Sequence, residues 1–238
     1  MKKLAALALL VLSTSPALAE SRYAQARALA FDVLGHQYEN TRTSGNACAL
    51  GLPTEAQRSA LSAALASVEP PLPESPDPTF VAASANPALL TERSWLDPLI
   101  LATFADDVAM LERMEANGHP LQERAGGLLQ DAVHGGSRQV LDYLLAHGAA
   151  PDATNESGAS ALIVAAANNR LDMARVLLQA GASPDLATGR GATALRYAVG
   201  CRNQPMVGLL LAAGATPDEA IRQSAIKRNV RLDTASGH

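Results

Sequence analysis

Gly148-Ala149-Ala150-Pro151-Asp152, Gly181-Ala182-Ser183-Pro184-Asp185 and Gly214-Ala215-Thr216-Pro217-Asp218 are three copies of one phrase, Gly-Ala-x-Pro-Asp, with each copy thirty-three positions after the last. A fixed interval of this size marks small units that cannot bury their apolar faces singly and must stack on their neighbours. Counting back nineteen positions from each glycine reaches Leu129, Leu162 and Leu195. Each leucine starts a short helix: Gly127-Leu128-Leu129-Gln130-Asp131-Ala132, Ser160-Ala161-Leu162-Ile163-Val164-Ala165 and Thr193-Ala194-Leu195-Arg196-Tyr197-Ala198. Small residues such as Ala165, Ala166 and Ala198 let this first helix approach its neighbours closely. A second helix follows, with Leu144-Leu145, Leu177-Leu178 and Leu210-Leu211 supplying its buried face. The glycine opening each phrase then stops that helix, because it tolerates positive φ.

The three helix starts resemble the Thr-Pro-Leu-His-x-Ala signature of ankyrin repeats, and the interval matches the length of such a repeat. The resemblance implies an all-α repeat solenoid of helix-turn-helix units joined by projecting hairpin loops, here Asp152 to Gly158 and Asp185 to Gly191. A weaker fourth copy, Asp97-Pro98-Leu99-Ile100-Leu101-Ala102, is found by the same spacing from Gly118, with Pro98 at the family's proline. Its Leu99 precedes Leu129 by three positions fewer than the regular interval, and this deficit is expected to shorten a hairpin around Glu123 to Gly126. At the other end Thr216-Pro217-Asp218-Glu219 is expected to open a C-terminal cap helix, with Thr216 as its cap. The repeat domain with its cap is thus read over residues 93–228, about four repeats, and residues 229–238 as a flexible tail.

The opposite terminus reads as an export signal. Lys2 and Lys3 precede the apolar run Leu4 to Leu12, and Ala17-Leu18-Ala19 offers small-residue cleavage, which makes residues 1–19 a signal peptide cut between Ala19 and Glu20. A run of about nine apolar residues is well short of the roughly 20 that cross a bilayer. No later segment is apolar enough to span, so the expectation is a periplasmic protein with no membrane insertion after cleavage. Removing nineteen of the 238 residues leaves 219, and the loss of Lys2 and Lys3 takes the formal net charge from -4 to -6. That balance lacks the basic footprint of a nucleic-acid or anionic-membrane binder. With aromatics at 3%, stacking platforms for bases are scarce as well.

Between signal and repeats, residues 20–69 read as a small helical N-terminal segment with helices over Arg22 to Tyr38 and Thr54 to Val68. A Thr54-x-x-Gln57 capping box opens the second. Residues 70–92 read as a Pro-rich linker and a short helix, with five prolines between Pro70 and Pro78.

Catalytic patterns are missing from the sequence. His36, His119, His134, His147 and His238 have no metal-binding spacing. There is no Gly-x-Ser-x-Gly elbow and no phosphate-cradling loop, and Asp106-Asp107 reads as a solvated turn between two repeat helices. No metal and no cofactor are expected, and the chain is read as non-enzymatic. Cys48 and Cys201 allow two readings in an exported chain: a disulfide between them, or two separate thiols with Cys201 a small packing residue.

What remains is a recognition surface. The ankyrin resemblance implies contact through hairpin tips and the exposed side of the first helices. On the hairpins these positions are Glu123, Arg124, Asn155, Glu156, Thr188 and Arg190. On the helices they are Gln130, Asp131, His134, Val164, Asn168, Arg196 and Tyr197. Arg190, Arg196 and Tyr197 form the strongest cluster, because Tyr and Arg often carry interface energy. The expected partner is another protein. One role is a protector, or immunity-type protein, that binds and neutralises a delivered toxin; another is a helper of a periplasmic stress-defence enzyme. A third reading gives the N-terminal helical segment an unrecognised enzymatic or envelope-binding activity.

Overall fold

The structure, a computed structural model, describes residues 52–66, 98–116, 121–155 and 158–233. The signal peptide, the Arg22 to Tyr38 helix, the Pro-rich linker, its short helix and the last five residues lie outside them. The described residues form ten helices: α1 (Glu55–Ala66), α2 (Pro98–Ala105), α3 (Val108–Ala116), α4 (Leu121–Gly135), α5 (Arg138–Ala146), α6 (Ala161–Ala167), α7 (Leu171–Gln179), α8 (Ala194–Gly200), α9 (Gln204–Ala212) and α10 (Glu219–Arg228). They fall into two compact units, with α1 to α3 in the first and α4 to α10 in the second.

In the first unit, α1 begins at the expected capping box. The Thr54 N–H donates to Gln57 Oε1 at 2.8 Å and the Gln57 N–H donates to Thr54 Oγ1 at 3.2 Å, satisfying two of the amides left open at a helix start. The helix packs on α2 and α3 with Leu61 buried. Arg58 Nη1 donates to the Phe104 carbonyl at 3.0 Å, placing a cation at the carbonyl end of α2. Asp106 and Asp107 do form the turn between α2 and α3. Asp107 Oδ1 accepts the Met110 N–H at 3.0 Å and so caps α3, while its other oxygen accepts the Ser62 hydroxyl of α1.

The second unit is an all-α repeat solenoid. The pairs α4–α5, α6–α7 and α8–α9 stack in order, first helices packing on first helices and second on second, and α10 closes the row against α8. Leu129, Leu162 and Leu195 are fully buried, as are Ala132, Ala165 and Ala198 beside them. Of the three leucine pairs, Leu144, Leu177 and Leu210 are buried, whereas Leu145, Leu178 and Leu211 are only half-buried. Ser160 and Thr193 cap α6 and α8 by accepting the Ile163 and Arg196 N–H groups.

Two kinds of turn alternate along the chain. The outer turn ends each second helix at Gly148, Gly181 and Gly214, with φ of 86°, 92° and 96°. Bonds from Ala149 N to Leu144 O, Ala182 N to Leu177 O and Ala215 N to Leu210 O, 2.9 to 3.0 Å, close it. The inner turn, between the helices of one unit, is centred on Gly136, Asn169 and Arg202, with φ of 69°, 58° and 53°. Its closing bonds run from Ser137 N to Ala132 O, Arg170 N to Ala165 O and Asn203 N to Ala198 O. Asp106, at φ 57°, makes the same turn between α2 and α3, closed by Asp107 N to Ala102 O at 3.0 Å. The pair starting at Pro98 therefore shares the local geometry of a repeat.

Two expectations are corrected. Glu123 to Gly126 form no hairpin; they belong to α4, whose fifteen residues make it the longest of the described helices. Leu121-Gln122-Glu123-Arg124-Ala125 is a run of strong helix formers, and in this shortened unit the chain continues the helix backward. The cap helix starts at Glu219 with Asp218 as its N-cap, not Thr216. Asp218 Oδ1 accepts the Ile221 N–H at 2.7 Å, while the Thr216 N–H and hydroxyl are already taken by Asp185 at 2.8 and 2.7 Å.

Candidate protein-binding surface

Each complete hairpin is a tight antiparallel bridge, Thr154 to Ser160 and Ala187 to Thr193. Asn155 Oδ1 accepts the Ala159 N–H at 3.0 Å, and Thr188 Oγ1 accepts the Ala192 N–H at 3.1 Å, four positions on in both cases. These two expected contact residues therefore spend their oxygens on the shape of their own loops.

The hairpins are also held from the helix side. Gln130, only 6% exposed, donates through Nε2 to the carbonyls of Ala153 at 3.1 Å and Ala159 at 2.8 Å. Asn168, 7% exposed, donates through Nδ2 to His134 Nδ1 at 3.2 Å. With Nδ1 an acceptor, the ring is neutral. Burial, reinforced by the charge of Arg170, pushes its pKa down to about 4. The placement of Gln130 and Asn168 on an exposed face is thus corrected, and the half-buried His134 pairs with Asn168. Hairpin-base carbonyls and a half-buried ring take polar partners here, and the amides of Gln130 and Asn168 provide them.

The remaining expected residues divide by exposure. Asp131 and Val164 are half-buried, whereas Arg190, Arg196 and Tyr197 are exposed, Tyr197 by 39%. All three belong to one repeat, Arg190 on its hairpin and Arg196 and Tyr197 in the first turn of α8. Glu156 lies outside the described residues, as do the side chains of Glu123 and Arg124 on α4. Cys201 is half-buried at the end of α8, its Sγ 4.0 Å from the Ala167 carbonyl oxygen, and Cys48 lies outside the described residues.

One device that the sequence reading passed over is the aspartate of the repeated phrase. Asp152 Oδ1 accepts the Ser183 N–H at 2.7 Å, and Asp185 binds Thr216, so each aspartate reaches the x residue of the following phrase. Its constant place at the end of the repeated phrase was the available signal. Among the described residues no cluster of three His, Cys, Asp or Glu could hold a metal, and no helix is long and apolar enough to cross a membrane.

Stacked helix pairs joined by tight hairpins define an all-α repeat solenoid. Residues 129–220 match the ankyrin-repeat family model in three copies. Ankyrin repeats are in general protein-interaction modules, and the match suggests protein binding for this part of the chain. No curated protein matches the chain.

Proposed function

We propose that the chain is an exported protein-binding solenoid that engages its partner through Arg190, Arg196 and Tyr197, and that its role is to bind and neutralise a toxin in the periplasm. The observation carrying the surface is the division of labour along the repeats. Gln130, Asn155, Asn168 and Thr188 are engaged internally, while the α8 repeat leaves an aromatic and two guanidinium groups exposed. The basic and apolar pattern of Lys2 to Ala19 supports export. A bridge between Cys48 and Cys201 belongs to the same reading. It is supported by the absence of a free cysteine among the described residues in a chain that has two cysteines.

The test is a pull-down of oxidised protein from periplasmic extract and secreted fractions, repeated with Arg190→Ala/Arg196→Ala/Tyr197→Ala. One toxic hydrolase recovered one-to-one, with affinity at least about tenfold lower for the triple variant, is the expected result. A resident stress-defence enzyme recovered instead would replace the protector role with the helper role. Unchanged capture by the variant would remove this face from consideration, and hydrolase activity in the protein itself would overturn the non-enzymatic reading. Mass spectrometry of the unreduced protein checks the bridge; two thiols and no linked peptide would reject it.

A further inference from the structure

At the C-terminal end of the solenoid, α10 and the inner turn of the α8–α9 pair enclose an open cavity of about 440 Å³ lined by Arg202, Ala220, Gln223, Ser224, Lys227 and Arg228. Half of its lining residues are cationic and none is acidic. Among the described residues none of Arg202, Lys227 and Arg228 forms an ion pair, although Arg138, Arg222 and Arg231 elsewhere in the same unit all do. Three cations sharing one concavity without a counter-charge repel one another, and the chain as a whole carries a net charge of -4. The cluster therefore does not follow from bulk composition.

Part of it has a local explanation. Lys227 and Arg228 lie in the last turn of α10, where cations complement the helix dipole. Arg202, two positions past the end of α8, meets the carbonyl end of that helix in the same way, but the dipole does not account for its backbone conformation. It occupies the left-handed position of the inner turn, φ 53°, where the two preceding repeats carry Gly136 and Asn169, residues far better suited to that region. A strained arginine facing two further cations is the observation that points to a ligand.

We infer that this cavity is a second recognition site, which takes a carboxylate-rich segment of a protein partner. The inference rests on the protein-binding reading but uses a different surface from Arg190, Arg196 and Tyr197. A compact phosphate suits the place less well. The amide-rich end of α10, where oxyanions are favoured, is already occupied by the carboxylate of Asp218, and the cavity extends to the carbonyl end. From Ala220 to Arg228 the helix runs about 12 Å, the reach of roughly three or four residues of extended chain. Arg202 would provide a paired contact to one carboxylate, Lys227 and Arg228 would meet its neighbours, and Ser224 and the side-chain carbonyl of Gln223, whose amide nitrogen donates to Glu219, would bond the peptide backbone.

The test is fluorescence anisotropy of a labelled hexaglutamate peptide with the full chain at low salt, hexaglutamine serving as control. Binding of hexaglutamate alone, weakened by added salt, is expected. Arg202→Gly places at the turn the residue its backbone prefers, so thermal stability should stay equal or rise while peptide affinity falls by about two- to fivefold. Lys227→Gln/Arg228→Gln should lower affinity similarly, and the Arg190/Arg196/Tyr197 triple variant should leave it unchanged. That last arm separates failure of this site from failure of the hairpin face. Equal binding of the two peptides, or full affinity in both cavity variants, would overturn the inference. Inorganic phosphate at equal concentration displacing the peptide completely would overturn it in favour of a small-oxyanion site.

Discussion

The outer turns are all glycine, while the inner turns are Asp106, Gly136, Asn169 and Arg202. Both rows reverse a helix with positive φ and both close with a bond back to the carbonyl five positions earlier. They differ in where the positive φ lies. At 86° to 96° the outer turns are beyond the left-handed well of an L residue, so only glycine enters without strain. At 53° to 69° the inner turns sit in or beside that well, where Asn and Asp are tolerated and other side chains are strained but accepted. A difference of about 30° in one dihedral thus decides whether a turn leaves a repeated letter in the sequence or leaves none.

The largest expected difference between the two rows is electrostatic. His134 lies two positions before the inner turn at Gly136, held neutral with a pKa near 4 against an ordinary 6.5. The unfolded chain therefore binds a proton that the folded chain refuses as pH falls from about 6.5 to about 4. Stability is lost across that window, by up to about 3 kcal/mol for this group. Urea midpoints at pH 7 and pH 4.5 should show a smaller acid loss for His134→Gln than for the unaltered protein, with His147→Gln at the outer turn as the matched control. An equal acid loss in His134→Gln would assign the pH dependence to other groups.

A backbone effect comes next. A Cβ added at Gly181 meets no atom within 4 Å, so Gly181→Ala isolates the dihedral strain at φ 92° and should cost about 2 kcal/mol by urea denaturation. Asn169→Ala at the inner turn should cost less, although it also loses the bond that Asn203 makes to the Asn169 side chain. The reverse order would break the dihedral account of the two rows.

The smallest difference concerns the staples beside the outer turns. Asp185→Ala removes two bonds to Thr216 and should lower stability by about 1 kcal/mol; Asp152→Ala removes one bond to Ser183 and should lower it less. Thermal melts of the two single variants and their double would show near-additive losses if each staple acts on its own junction.

The same contrast explains what could be read from the chain. Glycine at the outer turn and leucine on the first helix are demanded by backbone and core, so they recur at a constant interval and disclose the solenoid. The capping box at Thr54 and Gln57 was legible because its bonds are local. Of the inner turns only Asp106-Asp107 was legible; Gly136, Asn169 and Arg202 were not, because different residues serve there. Gln130 looked like a surface residue because amides usually are. Its counterparts in the next two repeats are the buried Ile163 and the exposed Arg196, so the repeat position alone does not fix which way the side chain faces. The start of α4 was misread because a deficit in the interval says that something is shortened without saying what replaces it. Nothing in composition distinguishes Asp218 as a cap from Thr216, since the choice depends on Asp185 engaging the threonine from the preceding unit.

Asp218 has one further consequence. Asp152 and Asp185 each reach forward to the next phrase, and Asp218, which has no later copy to grip, turns to the start of α10 instead. Both junctions between consecutive phrases are thus specified by a donor and an acceptor carried within the repeating cassette itself. An array built this way grows or shrinks by whole cassettes, through duplication or deletion of coding segments, with no new joint to invent. The final aspartate changes partner with its position in line and lets the same sequence serve as link or terminus.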